Sequence, residues 1–234
     1  HVRTVIIITL ILCGIAVCDD QEQMIPSSEA IQMLAKACDL KELPHGTEHI
    51  KLELLYKRGP YIYEVEWDYR KDIKGDRLLL NKFQIKAKEE APKDILFSDK
   101  GIKEGPLASV RTCIKAIQEK KVETLIKYIP AGERDEVDRM RVLTLRHRDK
   151  EKKESIGFSD FEILLQHLPK IGQMSPGVGA VKLQLRFPGE TQGIKGNYEI
   201  EVEVYTGDKD PDHWIIKQMP VKFIPDKRDS KQKE

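Results

Sequence analysis

Val181-Lys182-Leu183-Gln184-Leu185-Arg186-Phe187 and Tyr198-Glu199-Ile200-Glu201-Val202-Glu203-Val204 alternate apolar and polar residues without a break. Successive side chains of a strand point to opposite faces, so each run predicts a strand with one dry and one wet face. Pro188 to Gly196, with three glycines, reads as the loop between them. Beyond them, Gly207 to Asp212 turns the chain into His213 to Ile224, where Pro220 points to an edge strand or a bulge. The same period of two recurs far upstream, in Ile50, Leu52, Leu54 and Tyr56 and again in Tyr61, Tyr63, Val65, Trp67 and Tyr69. Arg58-Gly59-Pro60 is the turn between these runs, and Leu78 to Ala87 completes a three-stranded antiparallel meander.

Between and before the strands the period changes to helical. Ser27 or Ser28 caps a helix whose apolar face holds Ala30, Ile31, Met33, Leu34, Ala37 and Cys38, with Glu29 placed favourably near its N-terminus. Pro106 opens a helix lined by Leu107, Val110, Cys113, Ile114 and Ile117. Shorter helices follow over Val122 to Ile129 and Phe158 to Leu168. The fold class expected is therefore α+β, with helices packed on antiparallel sheets. Residues 29–92 form a small unit of one helix and the meander, 93–105 a charged linker, and 106–225 a second α+β domain; 226–234 is a polar tail expected to be disordered.

The extreme N-terminus carries a different signal. Val5 to Val17 is an unbroken run of apolar, small and Thr residues behind Arg3, and it ends at Asp19-Asp20. That length matches the hydrophobic part of an export signal and is short for a bilayer-spanning helix. Residues 1–18 are thus read as a signal peptide or lipoprotein-type export segment and 19–28 as a tether, with Cys18 as the candidate lipidation site. Ile15-Ala16-Val17-Cys18 resembles a lipobox, from which Val17 departs. Cleavage, lipidation and retention as an anchor all remain open. The location expected is periplasmic, envelope-anchored or secreted.

Lys plus Arg number 40 against 39 Asp plus Glu, a net charge of +1 that gives no global field for nucleic acid or anionic lipid. Nucleic acid is therefore not an expected partner, and membrane contact runs only through the N-terminal segment. Cys38 and Cys113, each on the apolar face of a helix, are expected as two buried free thiols.

Val110 to Pro130 (VRTCIKAIQEKKVETLIKYIP) and Asp212-His213-Trp214-Ile215-Ile216 resemble the helix pair and last-strand entry of the NTF2-like (SnoaL-like, cystatin-related) superfamily, in its small exported bacterial members. The resemblance covers residues 106–224. Glycine is missing at the helix step and Pro220 interrupts the final strand. It implies a bent antiparallel sheet wrapped around a helix to form a cone. Asp160, His167, Tyr198 and Tyr205 are then the candidate pocket residues, because enzymes of that superfamily pair an Asp with a Tyr or His in the cone.

No other motif carries chemistry. His45-Gly46-Thr47-Glu48-His49 matches an inverted zinc-protease pattern. Zinc would need both histidines on one helical face, and Pro44, Gly46 and the strand beginning at Ile50 argue for a polar loop instead. His147 sits in a charged run, and Gly172 to Gly179 lacks the Lys-Ser/Thr of a phosphate loop. No metal or cofactor is expected. The function expected is non-catalytic binding of a protein or a small apolar ligand, or a structural interaction; the alternative is a SnoaL or isomerase-type enzyme using the cone. Processing is directly testable. N-terminal mass analysis of protein from its native host is expected to place the mature start between Cys18 and Gln21, and a soluble cytosolic form retaining Val5 to Val17 would contradict export.

Overall fold

Two strands drawn from opposite halves of the chain lie side by side in the computed structural model: β1 (His49–Arg58) and β4 (Val178–Thr191), paired antiparallel from His49↔Arg186 to Tyr56↔Val178. The structure describes residues 25–37, 43–74, 77–102, 104–119, 121–130, 158–168, 174–207 and 209–226. On the far side of β1 come β2 (Tyr61–Lys71) and β3 (Leu78–Lys88); on the far side of β4 come β5 (Ile194–Gly207) and then β6 (Asp210–Gln218). A short β7 (Val221–Pro225) pairs with the other end of β5. The sheet order is β3-β2-β1-β4-β5-β6, and every pairing is antiparallel.

This corrects the expected fold class. The described residues form mostly one antiparallel sheet of seven strands with four short helices, not a helix-plus-meander unit beside an NTF2-like α+β cone. A cone would need the strands after residue 106 to wrap on one another around a helix. Instead the free edge of β4 is occupied by β1, so the sheet runs on through both halves. It is continuous across the 93–105 connection, which is itself bonded to the sheet: Leu96 N–H donates to Thr206 O at 2.8 Å and Gly177 N–H to Ser98 O at 2.7 Å.

Alternation then decides which face is dry. One transverse row runs Phe83, Trp67, Leu52, Leu183 and Val202 across five strands in register. The last four of these are at most 2% exposed. The helices supply the rest of the same core: Ala30 and Met33 from α1 (Ser27–Ala37), Val110, Cys113, Ile114 and Ile117 from α2 (Pro106–Gln118), Leu125 from α3 (Val122–Ile126), and Leu164 from α4 (Phe158–His167). Each buried aliphatic side chain contributes roughly 1.5–3 kcal/mol relative to an exposed one. Cys113 is a free, fully buried thiol whose pKa burial pushes up to about 12. Cys38, Cys13 and Cys18 lie outside the described residues, as does the whole 1–24 segment. Among the described residues no helix is long and apolar enough to cross a membrane.

Two details depart from or sharpen the sequence reading. The 188–196 stretch is not a loop: β4 and β5 stay paired to Thr191↔Ile194, and only Gln192 and Gly193 turn, with φ of 50° and 75°. Two positive φ values match the hairpin turn whose twist suits paired strands. Gly189 lies beneath the Tyr198 ring, where a Cβ would collide. Pro220 marks a break in the edge formed by β6 and β7, and its carbonyl accepts from Glu201 N–H at 3.0 Å, so the strand bulges and rejoins β5.

A single sheet shared by both halves should melt as one unit. The two tryptophans report on the two halves, Trp67 on β2 and Trp214 on β6. In a Trp67→Phe variant, Trp214 fluorescence and far-ultraviolet circular dichroism are expected to share one urea midpoint, and likewise for Trp67 in Trp214→Phe. Separated midpoints would mean that the halves unfold independently.

Candidate functional site

The wet face of the sheet is organised by charge, strand by strand. β3 presents Lys82, Lys86 and Lys88; β2 presents Glu64, Glu66 and Asp68; β4 presents Lys182 and Arg186; β5 presents Glu199, Glu201 and Glu203; the β6–β7 edge presents Lys217 and Lys222. β1 carries both signs, with Lys51 and Glu53. Neighbouring columns therefore attract. Lys82 Nζ lies 2.9 Å from Glu66, Lys88 2.7 Å from Glu64, Lys182 3.1 Å from Glu201 and Lys217 2.8 Å from Glu203. Most of these pairs are solvated and worth about 0–1 kcal/mol each.

Glu66 and Asp68 differ, because both are 6% exposed. Lys51 and Lys82 close over Glu66, at 3.4 and 2.9 Å. Burial alone would raise the Glu66 pKa, but hydrogen bonds and charge from Lys82 and Lys51 outweigh it, and the carboxyl sits below its ordinary 4.5. Lys51 is the reciprocal case: burial would lower it, and Glu53 and Glu66 carry it above 10.5. Asp68 is met by His49 Nε2 at 3.2 Å and by Arg70 Nε at 3.3 Å.

At the His49 end this face opens into a groove. A cleft of about 610 Å³ is lined by Glu48, His49, Arg70, Asp72, Arg186 and Glu199 among others. A second hollow of about 250 Å³ shares His49, Arg186 and Glu199 with it and extends to Glu201 and Lys222. The two lie across β2, β1, β4, β5 and β7, four strand spacings, or about 19 Å. Arg186 is central, 3.3 Å from Glu48 and 3.7 Å from Glu199. Its buried Nε makes no hydrogen bond despite that proximity. The groove thus offers donors and acceptors of both signs on a rigid strand floor, with the fully exposed Ile73 at its rim.

The sequence-derived candidates fall elsewhere. His167 and Tyr198 stand on either side of Phe187, with ring centroids 4.7 and 5.7 Å from it, and Phe223 extends the row beyond Tyr198 at 5.0 Å. These are ring contacts at the core side of the sheet, and burial pushes His167 below its ordinary 6.5. Tyr205 is seven residues from Tyr198 on β5, about 23 Å away along the strand and on the opposite face. Asp160 lies in α4, and its side chain is outside the described residues. The structure brings His167 near Tyr198 through Phe187 and brings neither to Tyr205. Cys18 and His147 are outside the described residues.

The His45-to-His49 segment is a turn leading into β1, with Thr47 Oγ1 donating to Pro44 O at 2.6 Å. Glu48 and His49 face Arg186 and Asp68 there. Among the described residues no group of three or more His, Cys, Asp or Glu is placed to hold a metal ion. Sequence reasoning passed over Arg70, Arg186, Asp68 and Glu199, which come from three strands. The available signal was the three acids, Glu64, Glu66 and Asp68, inside the aromatic run Tyr61 to Tyr69, since buried acids need partners.

No family model, curated protein or solved structure matches the chain.

The buried Glu66 gives a pH test. Because its folded pKa is lowered, its contribution is full above pH 4.5 and is lost as pH falls through the folded value. Glu66→Gln is expected to cost about 2 kcal/mol at pH 7 in urea unfolding. The gap to the unaltered chain should narrow steadily below pH 4.5, and a gap independent of pH would contradict the ion-pair account.

Proposed function

We propose that this chain is an exported, non-catalytic binding protein that engages a polar protein surface through the groove at the His49 end of its charged sheet face. The observation that carries the reading is the groove itself: an open, rigid floor with His49, Arg70, Arg186, Glu48 and Glu199 converging from four strands and the turn before β1. Side chains fixed by strands lose little entropy on binding, which favours recognition. Paired charges of both signs favour a partner with complementary charges and backbone groups over a small apolar ligand. Export rests on the Val5 to Val17 run and the acidic step after it.

A photoreactive residue tests this in the native host. Placed at His49, it is expected to give a discrete cross-linked product in the cell envelope or medium. The same residue at Lys115, exposed on α2 of the helical layer, is expected to give none. Equal products from both positions, or none from His49, would sink the groove as the binding face.

A further inference from the structure

The charged columns of the wet face end on a basic column at β3, and among the described residues that column has no acidic neighbour beyond it. Among the described residues no backbone group pairs with the outer edge of β3, whose ladder runs only to β2. From Lys82 to Lys88 the register with β2 is regular, seven residues or about 20 Å. That is a usual strand length. The irregularity lies earlier, where Asn81 is skipped between Leu80↔Tyr69 and Lys82↔Asp68. Along the regular stretch Lys82, Gln84 and Lys86 share the wet face, while Phe83 and Ile85 share the core face and are only partly buried.

We propose that Lys82–Lys88 of β3 is a docking edge for one extended strand of a partner protein, acidic at alternate positions and apolar between them. The acidic positions would continue the alternation seen across β2–β3 and β5–β6, and the apolar ones would extend the core over Phe83 and Ile85. Strand addition takes its affinity from backbone hydrogen bonds and its specificity from alternate side chains. Edge lysines also keep sheets from joining. Here that repulsion excludes a second copy, because antiparallel pairing of two such edges over this stretch sets lysine columns side by side. An acidic strand is attracted by the same charges. Lys86 is the most available of them, since Lys82 and Lys88 already pair with Glu66 and Glu64.

The probe is a capped ten-residue peptide of alternating glutamate and valine, with a lysine-valine peptide as the control. Backbone amide exchange of the isolated chain is followed by nuclear magnetic resonance. The acidic peptide is expected to slow exchange at amides within 82–88 by about tenfold or more at saturation. The basic peptide should leave them unchanged. Lys86→Glu should weaken the acidic peptide about fivefold, while Lys195→Glu, on the exposed hairpin, should not. Absence of slowing, or equal slowing by both peptides, overturns the proposal. Slowing that grows with protein concentration alone identifies a second copy and overturns it too. Changes confined to His49 and Arg186 would place the peptide in the groove, overturning the edge while leaving the groove reading intact.

Discussion

The pairing of β1 with β4 is the constraint on which everything else rests. Leu52 and Leu183 are matched in register although 131 positions separate them (183 − 52). Without that match the chain has two antiparallel meanders, each with an exposed hydrophobic edge. With it, the apolar rows of both become one surface from Phe83 to Val202, wide enough for short helices to cover. Register is fixed here by side-chain chemistry as well as by hydrogen bonds. A slip of one residue would move Leu52 and Leu54 to the wet face and place Lys51 and Glu53 in the core.

The same register creates the charged face. Once Glu53 lies opposite Lys182 and Arg186 opposite both His49 and Glu199, the mixed-charge β1 joins the acidic column of β2 to the basic column of β4, which faces the acidic column of β5. The burial of Glu66 and Asp68 follows from this geometry. Lys51 and Lys82 from the flanking strands cover Glu66, while Asp68 is met by His49 from β1 and by Arg70 from β2 itself. A buried carboxylate left without such partners would cost several kcal/mol. The columns are therefore a condition of the fold as well as a surface for recognition.

Local structure was legible in the sequence because it depends on neighbours in the chain. Period-two runs placed β1, β2 and the centres of β4 and β5, the turn before Leu78 placed β3, and Pro220 was a sound marker for a bulge. The long-range match of β1 with β4 was not legible, because alternation says which face a residue takes and not which strand lies beside it. That omission let residues 106–225 be read as a closed cone. The 188–196 hairpin was missed for a different reason: glycines usually signal a loop, but Gly189 makes room for the Tyr198 ring within a paired strand, and of the three glycines only Gly193 lies in the two-residue turn with Gln192. The groove was missed because its residues meet only through the β1–β4 adjacency, which could not be read locally.

The candidates implied by the family resemblance show how a face assignment limits chemistry. Acid–base catalysis needs its groups within hydrogen-bond reach of one reacting atom. Tyr198 and Tyr205 differ by an odd number of residues on one regularly paired strand, so their side chains leave opposite faces of the sheet. No rotamer brings them to a common point. His167 packs against Phe187 on the core side, and burial disfavours its charged form there. The groups that do converge, around His49, are already paired, His49 with Asp68 and Arg186 with Glu199 across strands and Arg70 with Asp68 within β2. Such contacts hold each polar group in one place on the sheet face. The proposed recognition role draws on that fixed arrangement.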